Sequence, residues 1–193
     1  MKKRIVVFAS GTGSNTINII QYFAQHLDIE VSGVLSNNEE APVLERAASL
    51  GVASYSFDRD MLESENGKVI KILKEINPDL IVLAGFLWKF PEHILKEFPN
   101  VINIHPSLLP KYGGKGMYGA HVHKAVLENH EKESGITIHE VNEIYDDGAI
   151  LFQERVPIDS NETIESLQKK IHKLEHKHFP IVIEKLLLSN KQK

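Results

Sequence analysis

The chain has 193 residues, a little over one typical domain length, enough to bury a core and too few for two sizeable domains. Hydrophobic residues at 42% and charged residues at 25% exclude a disordered or fibrous chain, and 22 Lys+Arg against 26 Asp+Glu, net −4, give no overall positive field to attract nucleic acid or an anionic membrane. Cysteine is absent, which removes disulfides, thiolate nucleophiles, iron–sulfur clusters and cysteine zinc sites together, whereas ten histidines place any neutral-pH chemistry on imidazole and carboxylate groups.

The elements follow in chain order. Arg4 to Ala9 is a continuous apolar, β-branched run, the pattern of a buried parallel strand. It ends in Ser10-Gly11-Thr12-Gly13-Ser14-Asn15, after which Ile17, Ile20 and Phe23 recur at helical spacing, so the chain opens as strand, glycine turn and helix. Strands are expected at Ile29–Leu35, Ala53–Phe57, Asp79–Ala84 and Val101–Ile104, with helices at Pro42–Leu50 and Lys68–Ile76 and a short one after Pro91. This alternation predicts an α/β fold with a doubly wound, mostly parallel sheet in a single domain. Pro106 to Gly119 holds two prolines and four glycines and reads as a long ordered loop, of the kind that usually carries function. A helix over Ala120–Glu131 and two strands, Gly135–Val141 and Ala149–Val156, follow, the strands joined by the acidic turn Asn142–Gly148 and extending the sheet antiparallel. Thr163 to Leu188 reads as helix, with Pro180 either kinking it or dividing it in two. No apolar run reaches the roughly 20 residues of a membrane span, and the stretch before Ser10 is too short for a signal peptide, so a cytoplasmic protein is expected.

Four segments carry candidate chemistry. In Gly11–Asn15 the glycines let backbone approach a ligand and the helix N-terminus favours an anion, so one phosphate fits; a plain capped turn is the alternative. A dinucleotide fits less well, because Thr16 replaces the third glycine and Ser36-Asn37-Asn38 offers no acid to a ribose. Asn103 and His105 lie on one face at a strand's carboxyl end, where an amide and an imidazole can hold a developing oxyanion, or else satisfy loop backbone. Asp146, in Tyr145-Asp146-Asp147-Gly148, would favour the charged form of His105 if that turn lies beside the strand. His172-Lys173-Leu174-Glu175-His176 matches the H-x-x-E-H pattern of inverted zinc peptidases, with Glu184 the only acid after His176, and a solvated helix face explains it more simply. His121 and His123, two residues apart, do not share a helix face and make no joint metal site. His139 precedes the Asn142–Asp146 turn and is expected near the same site, while His26, His93, His130 and His178 are expected at the surface.

Taken together, S-G-x-G-S-N, L-A-G-F, N-I-H-P-S-L-L-P-K-Y and D-D-G-A-I-L in this order resemble the folate-dependent formyltransferases, and among them the glycinamide ribonucleotide formyltransferases of purine biosynthesis, from about Ile5 to Pro180. The resemblance implies a Rossmann-like fold and transfer of a formyl group from 10-formyltetrahydrofolate, a cosubstrate rather than a tightly bound cofactor, to the amine of phosphoribosylglycinamide. It implies small-molecule substrates, no metal, no nucleic acid and no membrane partner. Residues 1 to about 100 would form the nucleotide-binding half and the remainder to 193 the folate-binding and catalytic half. By motif, Gly13, Ser14 and Asn15 would hold the phosphate and Glu175 would contact the glycinamide substrate near its amine or ribose. Leu87, Trp88, Lys89 and Phe90 would cradle the folate with Asn103, Asn142, Glu143, Ile144, Tyr145 and Asp146, largely through backbone. Asn103, His105 and Asp146 would be the catalytic trio, with a charged His105 helping Asn103 to hold the oxyanion. This chain reads Leu87-Trp88-Lys89-Phe90 where members often read M-R-I-L, has a longer Lys111–His121 loop than short-loop members, and offers Arg59 or Lys68 for the folate glutamate. Its length leaves no room for the extra domains of methionyl-tRNA formyltransferase or formyltetrahydrofolate hydrolase. The competing functions are a zinc-dependent hydrolase built on the H-x-x-E-H segment and a non-catalytic nucleotide-binding protein.

Overall fold

A seven-stranded sheet organises the chain in the computed structural model, which describes residues 1–189. The strands are β1 (Lys3–Phe8), β2 (Ile29–Ser36), β3 (Ser54–Ser56), β4 (Leu80–Leu83), β5 (Val101–His105), β6 (Glu133–Glu140) and β7 (Ile150–Pro157), in the spatial order β3-β2-β1-β4-β5-β6-β7. The first five are parallel, and β6 and β7 continue antiparallel, in line with the expectation for the two late strands. The chain runs outward from β1 through β2 to β3, then returns to lay β4 on the other side of β1. The switch point is therefore the crevice at the carboxyl ends of β1 and β4, the place where open α/β sheets bind ligands.

Helices α1 (Ser14–Phe23), α2 (Pro42–Ser49), α6 (Ala120–Glu128) and α7 (Ile164–Ser189) cover one face with α3 (Arg59–Glu63), α4 (Lys68–Ile76) and α5 (Glu92–Glu97) on the other. Each face has its own core: Ile5, Val7 and Val34 meet Ile19, Val126, Ile171 and Phe179 on the first, and Val6, Phe8 and Leu35 meet Leu62, Leu73 and Ile94 on the second. Phe8 is fully buried and meets Phe57, Phe86 and Phe90 edge-on at centroid distances of 5.8, 5.5 and 5.2 Å. Such aromatic contacts add to area burial, and here they fasten the Gly85–Phe90 segment to the end of β1.

On β5 and β6 the second face changes character. Asn103 pairs with His139, and His105 with Thr137, so four polar side chains stand in register on the face turned to the cleft. The Pro106–Gly119 segment and the Asn142–Gly148 turn fold over them, and the uncovered end of the sheet becomes one wall of a cleft.

Several boundaries differ from expectation for local reasons. α3 has no counterpart among the elements expected from the sequence; its signal is Asp58, whose carboxylate accepts the Met61 amide at 2.8 Å as an N-cap. α6 stops at Glu128 because the Asn129 carboxamide takes the Ala125 carbonyl and His130 adopts φ 51°. α7 is one continuous helix in spite of Pro180. Proline cannot donate to the carbonyl four residues back, and the Asn18 side chain on α1 donates to that carbonyl, His176 O, at 2.8 Å. Three of the histidines expected at the surface, His26, His93 and His178, are half-buried; His26 meets Glu184 at 3.2 Å and His178 stacks on Phe152. His130 is exposed as expected.

Candidate active site

The cleft at the switch point has a volume of about 580 Å³ and is lined from both halves of the chain. Its floor at the β1 end is the glycine turn. Gly13 has φ 69°, and a Cβ there would fall 2.1 Å from Val43 Cγ2, so only glycine brings the turn against α2. The first intrahelical bond of α1 is from Ile17 N to Gly13 O at 2.9 Å, and no described side chain caps the helix. The Ser14, Asn15 and Thr16 amides thus have no partner within the helix, an arrangement suited to an anion. Ser10 joins this turn to the β4 end: its amide donates to Gly85 O at 3.1 Å, and its hydroxyl accepts from the Leu87 amide at 3.1 Å while donating to Asn37 Oδ1 at 2.6 Å.

Asn15 turns its carboxamide away from the turn and donates to Glu175 Oε2 at 3.0 Å. Glu175 is 5% exposed. Burial pushes its pKa up to about 7, against the Asn15 hydrogen bond, which lowers it. The remaining H-x-x-E-H residues do not form a zinc site. The His172 and His176 rings are stacked at 3° with centroids 6.4 Å apart, so their nitrogen lone pairs lie in separate parallel planes and do not converge on one ion. No group of three or more histidines and acids suited to a metal occurs among the described residues.

At the β5 end the expected trio comes together. Asn103 Nδ2 donates to His139 Nε2 at 3.1 Å and to Asp146 Oδ1 at 3.4 Å. His105, 3% exposed, places Nδ1 3.5 Å from Asp146 Oδ2 and Nε2 2.8 Å from the Tyr112 carbonyl. A carbonyl only accepts, so His105 carries a proton on Nε2; by the same reasoning His139 carries one on Nδ1, which donates to Glu140 O at 2.7 Å. Asp146 sits at φ 54° and also accepts the Gly114 amide at 2.9 Å, tying the glycine-rich segment to the site. Gly148 allows this turn to close, since a Cβ there would lie 1.7 Å from Glu140 O.

The electrostatics correct one expectation. Burial dominates at His105 and holds its pKa below the ordinary value, outweighing the Asp146 charge and the Tyr112 bond, which raise it. The resting imidazole is therefore neutral at neutral pH, not charged. Burial also works to raise the pKa of Asp146, but His139, His105 and the Gly114 amide together hold it below the carboxylate range.

Gly13, Ser14, Asn15, Glu175, Leu87, Trp88, Lys89, Phe90, Asn103, His105, Asn142, Ile144, Tyr145 and Asp146 all border the cleft; Glu143 stands outside its lining. The ring of Phe90 belongs to the second core. Of the two cations considered for a folate tail, Arg59 borders the cleft 4.7 Å over the Trp88 ring, whereas Lys68 donates to Ser56 O at 3.1 Å and does not line it. The residue missed by sequence reasoning is His123, set aside with His121 on spacing, which lies buried in the cleft wall.

The Formyl transferase family model matches residues 3–183, which include the whole of this cleft's lining. The chain belongs to the formyl transferase family. Among its relatives are the phosphoribosylglycinamide formyltransferase of Bacillus subtilis, 35% identical with 96% of this chain and 95% of that one covered, and the chloroplastic one of Arabidopsis thaliana, 38% identical over 94% of this chain. The chain spans 64% of the length of the Arabidopsis relative and 61% of that of its Vigna unguiculata counterpart. The solved glycinamide ribonucleotide transformylase 1 of Geobacillus kaustophilus superposes with a TM-score of 0.87 at 33% identity, covering 97% of this chain and 100% of that one. The solved transformylase thus shares the mostly parallel architecture of this chain over nearly its whole length.

Proposed function

We propose that the chain transfers the formyl group of 10-formyltetrahydrofolate to the amine of phosphoribosylglycinamide. The observation that carries this reading is the convergence of Asn103, His105 and Asp146 at one end of a cleft whose other end is the uncapped N-terminus of α1. Relatives named phosphoribosylglycinamide formyltransferase support it.

In this reading the phosphate rests on Gly13, Ser14 and Asn15, and Glu175 meets the substrate near its ribose or amine. The folate ring lies against the backbone of Leu87–Phe90 and of Asn142–Asp146, with the glutamate tail toward Arg59. Residues 1 to about 100 then supply the nucleotide half and the rest the folate and catalytic half, with α7 crossing back so that Glu175 meets Asn15. Both substrates are dissolved small molecules met in the cytoplasm, and no described helix is long and apolar enough to cross a membrane.

The chemistry follows from the protonation states. The amine nitrogen attacks the formyl carbon, and its electron pair drives the carbonyl oxygen negative. Asn103 exchanges its long 3.4 Å contact to Asp146 for that oxygen. Neutral His105, with its lone pair on Nδ1 beside Asp146, accepts the proton leaving the amine and becomes an imidazolium paired with the carboxylate. Collapse breaks the bond to the folate nitrogen N10, which takes the proton back. A turnover assay with both substrates on wild type and on Asn103→Ala tests the reading. Wild-type turnover with at least a hundredfold loss in the variant is expected, and a well-folded wild type that forms no formylated product would overturn it.

A further inference from the structure

α6 starts where the glycine-rich segment ends, and its first turn sends two histidines in opposite directions. His121 is exposed beside the Tyr118 ring, whereas His123 is 1% exposed and borders the cleft. Its Nδ1 is buried without a hydrogen-bond partner among the described residues. Asn15 Oδ1, on the cleft wall next to Glu175, is a second buried atom without one. Buried polar atoms are nearly always paired, and those left over call for an explanation. Both atoms belong to residues facing the same cleft, so a ligand able to offer a donor and an acceptor is the natural source of partners.

The position of His123 says which part of a ligand that is. It is in electrostatic reach of His172, at the Glu175 end, and of His105, at the formyl-transfer end. Burial, the largest cause, and these two imidazoles hold its pKa down at about 4, so it meets a ligand as a neutral group with one donor and one acceptor. A substrate with its phosphate on α1 and its amine beside His105 spans this interval with the glycinamide arm, a neutral secondary amide.

We propose that His123 is a substrate-binding residue that hydrogen-bonds the amide of the glycinamide arm and so aims the amine at the formyl carbon. The inference rests on the formyl-transfer reading and adds to it a specificity element for an amide-linked amine. A neutral imidazole suits this role better than lysine or arginine, because it pairs with an uncharged amide without bringing a buried charge. It also leaves the amine free of a competing cation.

The test compares His123→Phe, which keeps a planar ring without polar atoms, and His123→Asn, which keeps a donor and an acceptor. Calorimetric titration with phosphoribosylglycinamide is run alongside steady-state kinetics. His123→Phe is expected to weaken ribonucleotide binding about tenfold in both the calorimetric and the kinetic measurement, the scale of one lost hydrogen bond. The formyl-folate cosubstrate should keep its wild-type KM, and the variant should melt near wild type. His123→Asn should regain part of the affinity. Wild-type affinity in His123→Phe would overturn the inference, as would equal weakening of both substrates with a fall in Tm that His123→Asn does not reverse. If wild type binds the ribonucleotide but turns nothing over, the transfer reading fails and the calorimetric comparison still decides the role of His123. If wild type does not bind it, both fail.

Discussion

The Asn18 carboxamide on α1 serves the His176 carbonyl on α7, the one carbonyl that Pro180 leaves without an amide. One residue before His176, Glu175 accepts from Asn15, so a single α1–α7 seam both mends the helix and sets the buried acid of the cleft. Asn18→Ala should therefore cost about 1 kcal/mol in urea unfolding. In a Pro180→Ala background, where residue 180 again has an amide to give, the same replacement should cost much less. Equal losses in the two backgrounds would mean that the Asn18 bond does not compensate for the proline.

Gly13 joins positive φ to a close approach. Gly13→Ala is expected to lose on the order of 1–2 kcal/mol from the left-handed backbone alone, and its methyl group also collides with Val43. The turn must then move, and ribonucleotide KM should rise more than folate KM. Adding Val43→Ala removes the collision but not the backbone strain, so the double variant should recover only part of the lost affinity. Full recovery would show that the positive φ contributes nothing.

The parallel strands were legible because their residues, buried on both faces, read as unbroken apolar runs such as Ile5–Ala9 and Leu80–Ala84. Asn103, His105 and Asp146 were legible as residue types that converge only if the sheet closes as the alternation implies, and in the structure they do. Two things were hidden. The charge state of His105 depends on the summed burial around it, which one neighbouring acid does not reveal. The place of His123 is not in the sequence either, because spacing alone says that two histidines face apart without saying which of them faces a cleft. α3 has no periodic signature in the sequence because five residues are too few to show helical periodicity.

Glu175 makes stability depend on pH in an unusual direction for an acid. Its folded pKa is raised from 4.5 to about 7, so between those values the folded protein holds a proton that the unfolded chain has released. Its contribution is fully present below about pH 4.5 and is lost as pH rises through about 7. Above that, the ionised carboxylate is a buried charge costing on the order of 3 kcal/mol. Glu175→Gln should therefore stabilise the protein at pH 8 and gain little at pH 4.5, while weakening ribonucleotide binding. Denaturant unfolding at the two pH values checks this. A gain at pH 4.5 as large as that at pH 8 would place the carboxylate in an ordinary solvated environment.

Asp146 distinguishes a neutral from a charged working form of His105. Its carboxylate raises the imidazole pKa against the larger lowering by burial. Asp146→Asn removes that opposing charge while leaving an oxygen for the Gly114 amide, so the His105 pKa should fall further. If His105 acts as the base, activity rises with pH as the imidazole loses its proton, and the acid limb of kcat/KM should move to lower pH in the variant. If His105 had to enter the reaction charged, the same fall in pKa would strip activity from the neutral side instead. Ionisation of the substrate amine is common to both enzymes and cancels in the comparison. The maximal rate should drop by about 10²–10⁴, because the imidazolium formed during transfer loses its carboxylate partner. A profile of reduced height whose acid limb stays at the wild-type pH would show that His105 does not set that limb.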